Sequence, residues 1–112
     1  MVTPVQLVPG ILLSNVAVVY YTAPTGTLAV IKKLTVTSFD AAAAHAFTLW
    51  IVPAAGAPAN ANMQVNAKQI GPLETRDVTE CQNKVIPPGA TIQAKGDDNV
   101  SLSMDVDGIQ IV

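Results

Sequence analysis

Residues 38–64, SFDAAAAHAFTLWIVPAAGAPANANMQ, decide how the rest of the chain is read. Four consecutive alanines, Ala41 to Ala44, suggest a helix, whereas the FTLWIV that follows is rich in β-branched and aromatic residues. A helix over 41–46 would have barely two turns, and a helix that short is marginal without tertiary packing. From Phe47 onward, Leu49 and Ile51 share one face of an extended chain, Thr48, Trp50 and Val52 share the other, and Pro53 ends the run. DAAAA (40–44) is therefore read as a tight connection, HAFTLWIV (45–52) as a strand apolar on both faces, and PAAGAPANAN (53–62) as a small-residue loop. A second apolar face would suit an outward-facing Trp50 covered by a neighbouring subunit.

The flanking segments read the same way. VAVVYY (16–21) is a short strand closed by the turn signal TAPTG. In TLAVIKKLTVTS (27–38), Leu28, Val30, Leu34 and Val36 fall on one face, and Lys32 breaks it at a bulge or an exposed edge. NVSLSMDV (99–106) alternates with period two, with Val100, Leu102, Met104 and Val106 on one side. Ile109 and Ile111 are out of phase with that set, so a glycine bulge at Gly108 is expected to return them inward. ATIQAKG (90–96) points Ala90, Ile92 and Ala94 inward, and GDDN (96–99) makes residues 90–106 read as a hairpin. LETRDVTE (73–80) is a weaker strand; residues 63–70 fit a strand better than a short helix ending at Gly71-Pro72. Seven to nine short strands and no helix of normal length predict one all-β domain over 1–112. Its architecture is an antiparallel β-sandwich, jelly-roll or immunoglobulin-like.

Charge narrows the function classes. Only 12% of the 112 residues are charged, against about 25% in an ordinary soluble domain. No charged side chain occurs from Met1 to Ile31, and only Lys32, Lys33 and Asp40 are charged before Lys68. So neutral a surface suits coverage by other protein. Nucleic acid is not an expected partner, because the six basic residues are scattered and the net charge is −2. Nor is a membrane, since Pro4, Pro9, Gly10, Ser14, Asn15 and Pro24 interrupt the uncharged N-terminal run, and no basic region of a signal peptide precedes Lys32.

No residue pattern points to catalysis, a cofactor or a metal. His45 is the only histidine and Cys81 the only cysteine, which is too few soft ligands for zinc, and neither lies in a nucleophile motif. SMDVDG places Ser103, Asp105, Asp107 and Gly108 at the first, third, fifth and sixth positions of a calcium loop, but the leading acid and the closing Glu are missing. Asp97, Asp98 and Asn99 read as turn residues. Tyr20, Tyr21 and Trp50 are the available aromatic platforms for a sugar.

Two stretches carry a family likeness: YYTAPTGTLAVIKKLTVTSFDAAAAHAFTLWIVPAAG and VIPPGATIQAKGDDNVSLSMDVDGIQIV. They resemble small β-sandwich proteins encoded among the structural genes of tailed bacteriophages. The resemblance implies a virion component, foremost a capsid decoration (cement) protein that binds the major capsid protein. It also implies assembly in the host cytoplasm and a homotrimer at a local three-fold axis. A neck, tail or fibre protein that binds a receptor or carbohydrate is the alternative. Residues 1–9, MVTPVQLVP, are expected to form an extended arm that pairs with a neighbour and docks the protein on the capsid; the alternative is that residues 5–8 are an ordinary edge strand of the same sandwich. With the arm, Val2, Pro4, Val5, Leu7 and Val8 join Trp50 as candidate interface residues.

Overall fold

The computed structural model describes all 112 residues. Its strands are β1 (Val2–Leu12), β2 (Val18–Thr22), β3 (Leu28–Ser38), β4 (His45–Val52), β5 (Met63–Ile70), β6 (Thr75–Asp77), β7 (Val85–Ile86), β8 (Thr91–Lys95) and β9 (Leu102–Ile111). Two three-residue 3-10 turns, Asn60–Asn62 and Thr79–Cys81, are the only helical pieces. The pairing is nested: β1 with β9, β2 with β8, β3 with β6 and β7, β4 with β5, all antiparallel. Folding this nest once places β1-β9-β3-β6, with β7 also on β3, in one sheet and β2-β8-β4-β5 in the other. Paired halves alternating between two sheets make the sandwich a jelly roll. β6 and β7 share one edge of β3, at Thr35–Thr37 and Ala29–Val30, as two pieces of a strand interrupted by the 3-10 turn at 79–81.

The core lies between the sheets. Ala29, Ile31, Leu34 and Val36 of β3 and Leu102, Met104 and Val106 of β9 face Phe47 and Leu49 of β4 and Ile92 and Ala94 of β8, all buried. The polyalanine stretch is a bend, and FTLWIV is strand, in line with its β-branched and aromatic content.

Three expectations need correction. Residues 90–106 are not a hairpin, because β8 and β9 lie in different sheets. Their shared inward alternation is satisfied across the sandwich, so the 96–101 turn crosses from one layer to the other. The bulge beside Gly108 is on the neighbours: register slips between Ile31 and Lys33 on β3 and between Gln6 and Val8 on β1, while β9 runs straight through. Consequently Ile109 and Ile111 stay outward, Leu28 and Val30 pair with them there, and only Leu34 and Val36 of their expected face turn inward. A Cβ on Gly108 would sit 2.2 Å from the Val30 carbonyl oxygen and 2.9 Å from Leu7 Cδ1. The glycine is there because backbone needs the space.

The third correction concerns the N-terminus. Residues 2–12 are no free arm but an edge strand of the chain's own sheet, paired with β9 from Val2–Ile111 to Leu12–Ser103. Leu7 and Val8 are buried in the core and Val5 packs against it, which removes the exposed apolar surface that motivated an arm. Pro4 and Pro9 have no N–H to offer, which blunts the free edge of β1 against further strand addition.

Two mutational outcomes follow. Gly108→Ala should destabilise the fold by at least about 3 kcal/mol, since backbone must move to admit the methyl group, whereas Gly10→Ala, with open space around it, should change stability by under about 0.5 kcal/mol. Urea titration of both variants checks this. Deleting residues 1–9 strips Leu7 and Val8 from the core, at roughly 1.5–3 kcal/mol each, and uncovers β9. The truncated chain should therefore lose cooperative unfolding.

Candidate functional site

The Asp40 carboxylate ties down the bend that opens the alanine run: its Oδ1 accepts the Ala42 N–H at 2.8 Å in a local turn. Its Oδ2 lies 2.7 Å from His45 Nε2, at the first residue of β4. On the other side of the ring, His45 Nδ1 lies 2.6 Å from Asp97 Oδ1, and Asp97 Oδ2 accepts the Ala46 N–H at 3.1 Å. Asp98 Oδ2 is 3.6 Å from the same ring nitrogen. Both ring nitrogens thus face carboxylate oxygens, which accept only; the side chain that satisfies both is the imidazolium.

The electrostatics agree. His45 is raised to about 8, first by its hydrogen bond to Asp40 and next by that to Asp97. Asp40 is lowered in return, chiefly by His45 and then by the Ala42 N–H. Asp98 is lowered chiefly by the Ser101 hydroxyl and then by the Val100 N–H, so it organises its own turn. The β1–β2 connection joins this end through Gly96 N–H to Ser14 O at 2.8 Å and Asn15 N–H to Asn99 Oδ1 at 2.9 Å. One imidazolium therefore clips the 39–44 and 96–101 loops together, and the third loop is laced to them.

The same ring offers the chain's one metal-capable group: His45 Nδ1 and a carboxylate oxygen each of Asp97 and Asp98 lie within 4.8 Å of one another. A small divalent cation there would have Asp40 orienting the ring from behind. It would have to displace the proton that both short carboxylate bonds favour. The pairing of His45 with Cys81 does not assemble: His45 is enclosed by carboxylates, and Cys81 is a core residue whose thiol burial pushes up to about 12. SMDVDG lies along the extended β9, where Asp105 Oδ1 accepts a hydrogen bond from Gln6 Nε2.

Beside the clip, on the outer face of the four-stranded sheet, a pocket of about 470 Å³ is lined by Trp50, Thr48, Met63, Asn66, Lys95 and Asn15, among others. Trp50 does point away from the core, as its phase requires, but it is only 8% exposed. The chain covers this second face itself. β5 carries register slips opposite Leu49, the left-handed Ala67 sits at one of them, and its N–H bonds to Thr48 Oγ1 at 3.1 Å. Trp50 is thus the floor of a pocket rather than a protruding contact.

Among solved structures, the chain is similar to a chain of the structure of infectious bursal disease virus Gx strain. The identity is 12% and the TM-score 0.44, over 98% of this chain and 31% of that one. No family model matches the chain, and no curated protein matches it in sequence. This chain therefore spans under a third of that viral chain.

The remaining candidate residues are scattered by the fold. Val2 and Pro4 are exposed on the outer face of the larger sheet, while Leu7 and Val8 are inside. Tyr20 and Tyr21 pack against the core, and the Tyr21 hydroxyl accepts from Gln110 Nε2 at 2.8 Å. The clip was not visible in the sequence, because 52 positions separate His45 from Asp97. The signal that would have found it is topological: pairing β8 with β4, with Lys95 opposite Thr48, carries Asp97 two residues further, to the start of β4.

A pH dependence follows from the clip. Because His45 is raised above its ordinary value of 6.5, its contribution is fully present below about pH 6.5 and is lost as pH rises through about 8. Asp40 and Asp98, being lowered, contribute above 3.8 and lose that contribution in acid. The melting temperature should fall between pH 6.5 and 8.5 in the parent and stay flatter over that window in His45→Ala, as differential scanning fluorimetry can read.

Proposed function

We propose that this chain is a structural virion protein of the capsid-decoration type, docking through the outer face of its larger sheet. The observation that carries the reading is two apolar rows that cross this face at the end where the chain termini meet. Val2, Ile111 and Leu28 align in one row; Pro4, Ile109, Val30 and Val85 align in the next. Val85 remains 48% exposed and Ile111 37%. Cross-strand apolar alignment on a solvent-facing sheet has no role in the chain's own core, and such a patch marks a protein contact. The other half of the same face is polar, with Lys33 and Asp77 paired at 3.8 Å and Thr37 and Thr75 joined at 3.2 Å, giving the apolar rows a boundary.

Two further features support this reading. The chain has little charge to keep a bare surface soluble, and its first 31 residues carry no charged side chain. The partner is then the major capsid protein, the assembly a symmetric homotrimer, and the location the capsid surface. Of the residues first considered for the interface, Val2 and Pro4 belong to the docking rows. Trp50 lies on the opposite sheet, and no catalytic or cofactor role is assigned.

Co-sedimentation with empty tailed-phage capsids tests the proposal. The parent should pellet with capsids, and a V85D/I111D variant should bind at least about tenfold more weakly, a loss of roughly 1.4 kcal/mol, with unchanged far-UV circular dichroism. Parent protein that stays in the supernatant, or a variant that binds as tightly as the parent, would overturn it.

A further inference from the structure

We propose that one end of the sandwich docks head to tail into a pocket at the opposite end of a second copy. The connections 13–17, 39–44, 71–74 and 96–101 share one end, because Leu12 pairs with Ser103, Ser38 with Leu102, His45 with Ile70 and Val18 with Ala94. They carry Val16, Phe39, Leu73 and Val100, each more than half exposed. Backbone bonds bring these loop tips together: the Leu73 N–H donates to the Asp40 carbonyl at 2.9 Å and the Phe39 N–H to the Ser101 carbonyl at 2.8 Å. The bond from Asn15 to Asn99 adds the Val16 loop to the row. Leu73 has a left-handed φ of 54°, which costs a bulky residue energy. Strain that holds a large apolar side chain in water contributes nothing to the chain's own core.

Charge decides what covers this row. Four of the chain's eight acidic residues, Asp40, Glu74, Asp97 and Asp98, lie in the same loops, paired there with one histidine and one arginine. A tip-to-tip dimer would press two such groups against each other, and an anionic lipid surface would meet the same repulsion. The other end is the reverse. Its loops 23–27, 53–62 and 87–90 carry no acidic residue. A pocket of about 370 Å³ opens there, lined by Ile51, Pro53, Ala61, Pro87 and Ala90, among others, with Lys84 as its one charged group. An apolar pocket edged by a cation complements an apolar row edged by carboxylates. Seating Phe39 in the pocket removes apolar surface from water on both copies and turns the carboxylates around it toward Lys84.

A contact between unlike patches builds a ring where the rotation closes and an open chain where it does not. Closure at three rests on the homotrimer proposed above; the contact itself does not, and it is read on the isolated chain without capsids. Sedimentation velocity of the parent should show concentration-dependent association that weakens with added salt. F39S/V100S at the loop end and A61D/K84E at the pocket change only exposed positions, and Val85 of the docking rows is left intact. Each variant should weaken association at least about tenfold with an unchanged melting temperature. Mixing the two variants should give a dimer that grows no further, since each supplies the surface the other lacks. A parent that stays monomeric at millimolar concentration, either variant associating like the parent, or a mixture that stays monomeric would overturn the proposal. A monomeric parent that instead floats with phosphatidylcholine vesicles, and stops doing so in F39S/V100S, would assign the loop end to a lipid surface.

Discussion

The pairing of the first strand with the last is the most distant contact this fold has to make. β1 and β9 must find each other across the full length of the chain for the larger sheet to gain its edge strand and close over Leu7 and Val8. Each inner pair of the nest shortens the loop that the next outer pair must close, so the β4–β5 pairing is the least costly in chain entropy and the β1–β9 pairing the most. A topology dominated by such distant contacts belongs among the slow folders. The tight fit at Gly108 is part of the same constraint. β3 and β1 flank β9 on either side of this residue, both neighbours bulge beside it, and the side-chain-free position is what allows them to approach.

How much of this was legible in the sequence depends on whether a feature is local. Strand identity was readable wherever the signal was local, from β-branched and aromatic content in HAFTLWIV and from clean alternation in ATIQAKG and LSMDV, because both are properties of neighbouring residues. The class of fold followed from those elements. Sheet membership did not: β8 and β9 present the same inward pattern whether they lie side by side or face each other across the core. The phase change at Gly108 was seen, but the sequence of one strand does not say which strand absorbs a slip. For Leu7 and Val8, uncharged apolar residues between prolines fit an arm and an edge strand equally well, and only the partner strand decides.

The candidate site was less legible for the same reason. Trp50 was placed correctly on the face away from the core, yet its cover comes from β5, whose bulge at Ala67 is an irregularity that propensity does not mark. His45 looked like an unremarkable strand-opening residue. Its significance comes entirely from two aspartates delivered by other loops. The two outer faces of the sandwich end up with different characters: apolar rows on one side, and on the other a small pocket floored by Trp50. A jelly roll lends itself to this division, because its two sheets are connected at their ends and each outer surface can vary without disturbing the layer between them.

The meeting of the chain termini has a mechanical consequence. Met1 and Val112 are joined by backbone hydrogen bonds in both directions, and Val2 and Ile111 are the first rung of the antiparallel ladder behind them. Tension applied between the two ends would load those rungs one at a time and peel β1 from β9 like a zipper. Force spread over the outer face of the larger sheet would instead act on many rungs at once, and the sandwich would resist it as a plate. A molecule built this way is weak as a tether and strong as a patch.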